Sequence, residues 1–352
     1  MAFNFDSESK ASYIFWTLMA FAIGVFIFSL SFSVGGYVAF AVLGSPNHAQ
    51  GQETRNAVLG SSTSTSSIAT NESTDREDAP TPILYDNTVY SLKPQVGPPK
   101  VSAKEYLIGD MDTGKVIIEK DGTTTYPLAS VTKLMTALVS KELDNQEAVA
   151  TISTTSIATY GTEGELHAGE KIIVSDLFYP MLLESSNDAA EALAEHYGRD
   201  KFLKAMNDTA EVLGMKETHY DDASGLSYKN VTSAEDLFKL TKYIRDEFPS
   251  IYNTARIKEY AILGHTWINH NDFLALSSFV GGKNGYTDEA LYTTAAIFNL
   301  PVKVATSTAT VKHNLVIVLL HSKSRVNDVQ ILLNYIKNNV SVDSKTATST
   351  SK

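Results

Sequence analysis

The 352-residue chain contains no cysteine. Disulfide frameworks, thiolate metal sites and cysteine nucleophiles are therefore excluded, and cysteine usage says nothing of compartment. Positive charge is scarce. Lys and Arg number 29 against 40 Asp and Glu, for a formal net charge of −11, which argues against a nucleic-acid partner held by bulk electrostatics. Charge of either sign is missing altogether between Lys10 and Glu53.

Within that uncharged stretch, "YIFWTLMAFAIGVFIFSLSFSVGGYVAFAVL" runs from Tyr13 to Leu43. A signal-peptide core takes about 7–15 residues and a spanning helix about 20. The run is long enough to cross a bilayer, so residues 1–44 are expected to form a cytoplasmic tip and a retained transmembrane helix. Cleavage near Val42-Leu43-Gly44 is the alternative. Lys10 and the amino terminus place the short end inside, and the rest of the chain is expected outside the cell membrane.

Large apolar residues then nearly disappear. "GSSTSTSSIATNESTDREDAPTP" is Ser/Thr-rich low-complexity sequence that cannot bury enough surface to offset its ordering entropy. Residues 45–81 are expected to be a disordered tether, residues 82–340 the folded domain, and residues 341–352 a frayed tail. No internal repeat is evident.

Inside the domain, "EYLIGDMDTGKVIIEKDG" has the pattern of a hairpin. In "PLASVTKLMTALV" the residues Val131, Leu134, Met135, Leu138 and Val139 recur at helical spacing. Helices are also expected over 175–197, broken near Ser185–Asn187, over Lys201–Leu213 with Gly214 as C-cap, over Ser233–Asp246, and over Val326–Asn338. From Phe279 onward "FVGGKNGYT", "LYTTAAIFNL" and "HNLVIVLLHS" read as strands. Strands at both ends with helices between them predict one α+β domain, a mainly antiparallel sheet flanked by helices and a helical subdomain.

Three short motifs stand out. Ser130-x-x-Lys133 opens the first helix, where an i, i+3 pair meets on one face. Two further Ser-x-x-Lys matches, at Ser7 and Ser349, lie in polar tails. Ser185-Ser186-Asn187 sits at the helical break, and Lys283-Asn284-Gly285 opens a strand. Singly, each has an ordinary explanation: a helix cap, or a solvated lysine beside a turn. In this order, on a helix start, an interhelical loop and a strand, they form a set.

That set resembles the signature of the penicillin-binding and serine β-lactamase superfamily, S-x-x-K, S-x-N and K-T-G. "DMDTGKVIIEKDGTTTYPLASVTKLMTALV", "GEKIIVSDLFYPMLLESSNDAAEALAEHYG", "FLKAMNDTAEVLGMKETHYDDASGLS" and "NHNDFL" are similar to the D-alanyl-D-alanine carboxypeptidase family of low-molecular-weight penicillin-binding proteins, from about Glu105 to Ile336. The resemblance implies a β-lactamase/transpeptidase-like fold. It also implies a serine peptidase without metal or cofactor that trims peptidoglycan stem peptides ending in D-Ala-D-Ala, and β-lactams as covalent inhibitors. It makes Ser130 the nucleophile, Lys133 the base, Ser185 a proton relay and Asn187 a positioning group. Lys283, Asn284, Gly285, Tyr286 and Thr287 fall on the substrate-binding strand, with the N–H groups of Ser130 and Tyr286 as oxyanion hole. Arg325, before the last helix, matches the family's carboxylate-contacting arginine. Asn284 departs from the family's threonine, although its amide also donates hydrogen bonds. The alternatives are a DD-endopeptidase, or a catalytically impaired wall-binding homologue. A β-lactamase is disfavoured because no Glu-x-x-Leu-Asn loop is found. The family's C-terminal β-sandwich and amphipathic anchor have no match, so the N-terminal span is expected to do the anchoring. His265 and His270 are expected to be structural rather than zinc ligands.

Overall fold

The computed structural model describes residues 88–343 apart from 144, 162 and 163. The expected anchor, the tether and residues 344–352 lie outside the described residues. Among those described, no helix is long and apolar enough to cross a membrane.

The sheet has seven strands: β1 (Val89–Leu92), β2 (Glu105–Asp110), β3 (Val116–Lys120), β4 (Phe279–Thr287), β5 (Leu291–Val304), β6 (Thr310–Ser322) and β7 (Val340–Asp343). Their order is β1-β7-β5-β6-β2-β3, with β4 also paired to β5. All pairs are antiparallel except the short contact of β5 with β7. The expected hairpin is β2–β3, and the three expected C-terminal strands are β4, β5 and β6. The sheet runs to Asp343, three residues past the expected boundary, because Val340 and Val342 are buried against β1.

Side-chain alternation divides the core in two. Leu107, Val316, Val318, Leu320 and Ile297 point into a large cluster with the helical subdomain. Their sequence neighbours Tyr106, Ile108, Ile317, Leu319 and Phe298 point the other way, against Val329, Leu332 and Ile336. Those last three lie on α5 (Arg325–Asn339). A sheet covered on both faces needs nearly continuous apolar strands, and "LVIVLL" in β6 is buried throughout.

The subdomain comprises α1 (Lys133–Glu142), α2 (Asn187–Tyr197), α3 (Arg199–Val212) and α4 (Ala234–Glu247). The apolar stripe of α1 is buried as expected. Its remaining sides are buried too, because every residue from Lys133 to Ser140 is enclosed. The helix expected over 175–184 resolves into a 3₁₀ turn, Val174–Leu177, and a π turn, Pro180–Glu184.

Candidate active site

Ser130 does not begin an α-helix. It lies in a 3₁₀ turn, Ala129–Thr132, that feeds into α1 at Lys133. The turn enters through Ala129 at φ 49°, and Ser185 adopts φ 70° where the π turn ends. Such left-handed non-glycine residues cost about 1–3 kcal/mol each and concentrate at functional sites. Ser186, rather than Ser185, caps α2 by accepting from Ala189 N–H at 3.0 Å. Ser185 is thereby left free of the capping role.

Five segments converge on a cleft of about 310 Å³ whose lining includes Ser130, Ser185, His270, Lys283, Asn284, Gly285, Tyr286 and Arg325. Lys133 Nζ lies 2.9 Å from Ser130 Oγ, and it donates to Asn187 Oδ1 at 2.8 Å and to the Ser224 carbonyl at 2.6 Å. The side chain is wholly buried. Burial pushes its pKa down to about 7, against the opposing pull of Asp222 and Glu191. Asn187 is held from behind by donating to the Tyr160 carbonyl at 2.9 Å.

Across the cleft, Lys283 Nζ donates to Ser185 Oγ and to the Asn284 carbonyl, both at 2.9 Å. Burial, followed by repulsion from Lys133 and Arg325, drives its pKa well below the ordinary lysine value. A cation beside a buried amine disfavours that amine's charge. A hydroxyl beside each amine makes two Ser–Lys pairs facing one space.

Gly285 explains how β4 comes so close to the nucleophile. A Cβ there would stand 2.8 Å from Ser130 N and 2.5 Å from Thr293 Oγ1. Gly225 plays the same part on the opposite flank, where a Cβ would stand 2.0 Å from the Ala129 carbonyl oxygen. The loop carrying Gly225 is knotted by Asp222, whose carboxylate accepts from the N–H groups of Ser224 (3.0 Å), Gly225 (2.5 Å) and Ser227 (2.6 Å).

Arg325, at the start of α5, lines the cleft. Its Nη1 donates to the Gly285 carbonyl at 2.9 Å, and its guanidinium stacks over Tyr292 at 5.0 Å. Its Nε donates to Asp272 Oδ2 at 2.7 Å, and Nη2 reaches the same oxygen. Asn284 Nδ2 also donates to Asp272 Oδ2, at 3.1 Å, while its Oδ1 accepts from Thr294 Oγ1 at 2.6 Å. Thr287 is not among the lining residues; its hydroxyl accepts from Ala290 N–H in the β4–β5 turn. His265 pairs with Glu170 at 2.6 Å, and His270 lines the cleft.

The sequence profile of the D-alanyl-D-alanine carboxypeptidases, peptidase family S11, matches residues 93–318. The chain belongs to this family. A relative, the D-alanyl-D-alanine endopeptidase of Pseudomonas aeruginosa, is 34% identical over 217 residues, which span 57% of this chain and 69% of that protein. The D-alanyl-D-alanine carboxypeptidase DacA of Escherichia coli K12 is 28% identical over 57% of this chain and 54% of its own length. The chain thus covers only part of each relative. Among solved structures, the Streptomyces K15 DD-transpeptidase superposes with a TM-score of 0.60 at 27% identity, covering 68% of this chain and 98% of its own. The mixed α/β fold is therefore that of the penicillin-binding and transpeptidase proteins.

Sequence reasoning missed the Ser224 carbonyl, the Asp222 knot, the Tyr160 carbonyl and Asp272. "DDASGLS" carries the turn signal that could have flagged the second of these. No local pattern announces the Asp272–Arg325 pair, whose members are 53 residues apart.

Proposed function

We propose that the domain is a serine DD-peptidase that cleaves peptidoglycan stem peptides after a D-alanine, releasing the terminal D-Ala of D-Ala-D-Ala through a Ser130 acyl-enzyme. The observation that carries this is the 2.9 Å approach of the buried Lys133 amine to Ser130 Oγ, with the Lys283–Ser185 pair across the same cleft.

A serine hydroxyl becomes an effective nucleophile once a base takes its proton. Lys133, with a pKa near 7, is substantially neutral at physiological pH. It accepts the Ser130 proton as Oγ bonds to the peptide carbonyl carbon. The oxyanion so formed faces the N–H groups of Ser130 and Tyr286, a role made possible by the bare Gly285 between them. When the C–N bond breaks, the proton held by Lys133 passes through Ser185, which Lys283 holds in place, to the departing amine, and Lys133 is neutral again. Water then attacks the ester carbonyl as Lys133 takes its proton, and when the bond to Ser130 Oγ breaks Lys133 returns that proton to the serine. Asn187 keeps the base aimed and offers its amide to the substrate.

A DD-endopeptidase is the second reading. It is favoured by the identity of 34% to an endopeptidase against 28% to a carboxypeptidase. In either case the 13–43 run is taken to hold the domain at the outer face of the cell membrane, with residues 45–81 as tether. Support comes from its length and lack of charge.

Labelling with a fluorescent penicillin tests the proposal. The full chain should form a stable adduct mapping to Ser130, and Ser130→Ala should abolish it while preserving the circular dichroism spectrum. An adduct on any other serine, or none, would overturn it.

A further inference from the structure

This inference rests on the peptidase reading and refines its substrate class. The cleft contains a cradle for a carboxylate that is already filled from within. Asn284 Nδ2, Arg325 Nε and Arg325 Nη2 all converge on one atom, Asp272 Oδ2. Arg325 and Asn284 line the cleft that holds Ser130. A guanidinium fork is the side chain best shaped to take a carboxylate, and charge-assisted bonds of this kind are the strong ones. A peptide entering with a free C-terminal carboxylate therefore meets a guanidinium whose charge is spent.

The competition is unequal. Asp272 sits on the same chain two residues from His270, itself in the cleft wall, so its carboxylate is present at high effective concentration. It is also fixed there, because Asn271, its neighbour, accepts from Phe273 N–H at 3.0 Å and donates to the Gly282 carbonyl at 3.4 Å. Arg325 Nη1 is turned to the backbone, donating to the Gly285 carbonyl at 2.9 Å and to the Thr293 carbonyl at 3.5 Å. Asn284 is tied into the same arrangement. Its amide oxygen is taken by Thr294, which turns its donor toward Asp272. A hydroxyl side chain in place of Asn284 is shorter and could not bridge in both directions.

We propose that Asp272 is a specificity-determining residue. By occupying the Asn284–Arg325 cradle it competes with a substrate's free C-terminal carboxylate, so that terminal D-Ala-D-Ala is taken with less preference over peptides whose leaving residue carries an amide or a continuing chain.

Binding tests this separately from catalysis. The full chain with Ser130→Ala is titrated calorimetrically with an N-acylated D-Ala-D-Ala dipeptide as free acid and as C-terminal amide. Adding Asp272→Asn should tighten the free acid about 10-fold and leave the amide within about 2-fold. In an Arg325→Ala background the same Asp272→Asn change should have no effect on either peptide. Equal shifts for both peptides, persistence of the effect without Arg325, or no tightening of the free acid would each overturn the proposal. Failure of the peptidase reading shows elsewhere, as an absence of Ser130 acylation by penicillin in the otherwise unaltered chain.

Discussion

A lysine amine in the interior is costly when charged, and the enzyme turns that cost into reactivity. With its folded-state pKa near 7 against an ordinary lysine value of 10.5, Lys133 loses its proton at a pH where a solvated lysine keeps it. The acylation rate constant with penicillin should rise about tenfold per pH unit below 7 and level off above it, as a stopped-flow series from pH 5.5 to 8.5 would show. A flat profile would remove Lys133 as the base. The same shift has a thermodynamic face. Between about 7 and 10.5 the unfolded chain binds the proton that the folded chain has released, so this group's contribution to stability rises with pH across that window. Below 7 both states are protonated and the full burial penalty applies. At Gly285 the prediction is steric. Gly285→Ala places a methyl 2.8 Å from Ser130 N and should slow acylation by at least about 100-fold. Its melting temperature should fall as well, because the same methyl stands 2.5 Å from the buried Thr293 Oγ1.

At the scale of elements, the helical stripe of α1, the β2–β3 hairpin and the three C-terminal strands were legible because hydrophobic period follows directly from backbone geometry. The Ser130, Ser185 and Lys283 motifs were legible as residue types at element boundaries. The loop 222–230 was not. Its function lies in a carbonyl, Ser224 O, and in a carboxylate that gathers backbone N–H groups. Backbone chemistry leaves only a faint trace in sequence, and the Asp272–Arg325 pair depends on tertiary approach alone. Asp222→Ala tests the loop. It strands three buried or half-buried N–H groups and should destabilise the domain by about 2–4 kcal/mol in urea titration. It should also lower the apparent pKa of the acylation profile, because the Asp222 charge that opposes the loss of the Lys133 proton is gone. Unchanged stability would mean that the loop holds its shape without the carboxylate.

For the whole molecule, the buried members of the two core clusters on either face of the sheet run, among the described residues, from Ala103 to Val342. A fragment spanning 82–343 should therefore be monodisperse in size-exclusion chromatography and keep the penicillin reactivity of the full chain. Stopping the fragment at Asn339 removes β7, leaves β1 without its partner strand, and should lower the melting temperature by several degrees. If the fragment 82–343 aggregates while one starting at Gly44 does not, residues 45–81 are more than a tether.

The pairing of β1 with β7 has a mechanical consequence. Val89 lies opposite Asp343, and Leu92 opposite Val340, so the polypeptide enters and leaves the domain at the same corner. Tension applied between those two points pulls at one end of an antiparallel ladder. It opens the ladder rung by rung, without shearing several hydrogen bonds at once. Such a joint yields at low force, and it yields at the edge of the sheet, with β5 between it and the strand that carries Lys283. Strain arriving along the chain would be spent in that four-residue zipper before it displaced the groups around Ser130.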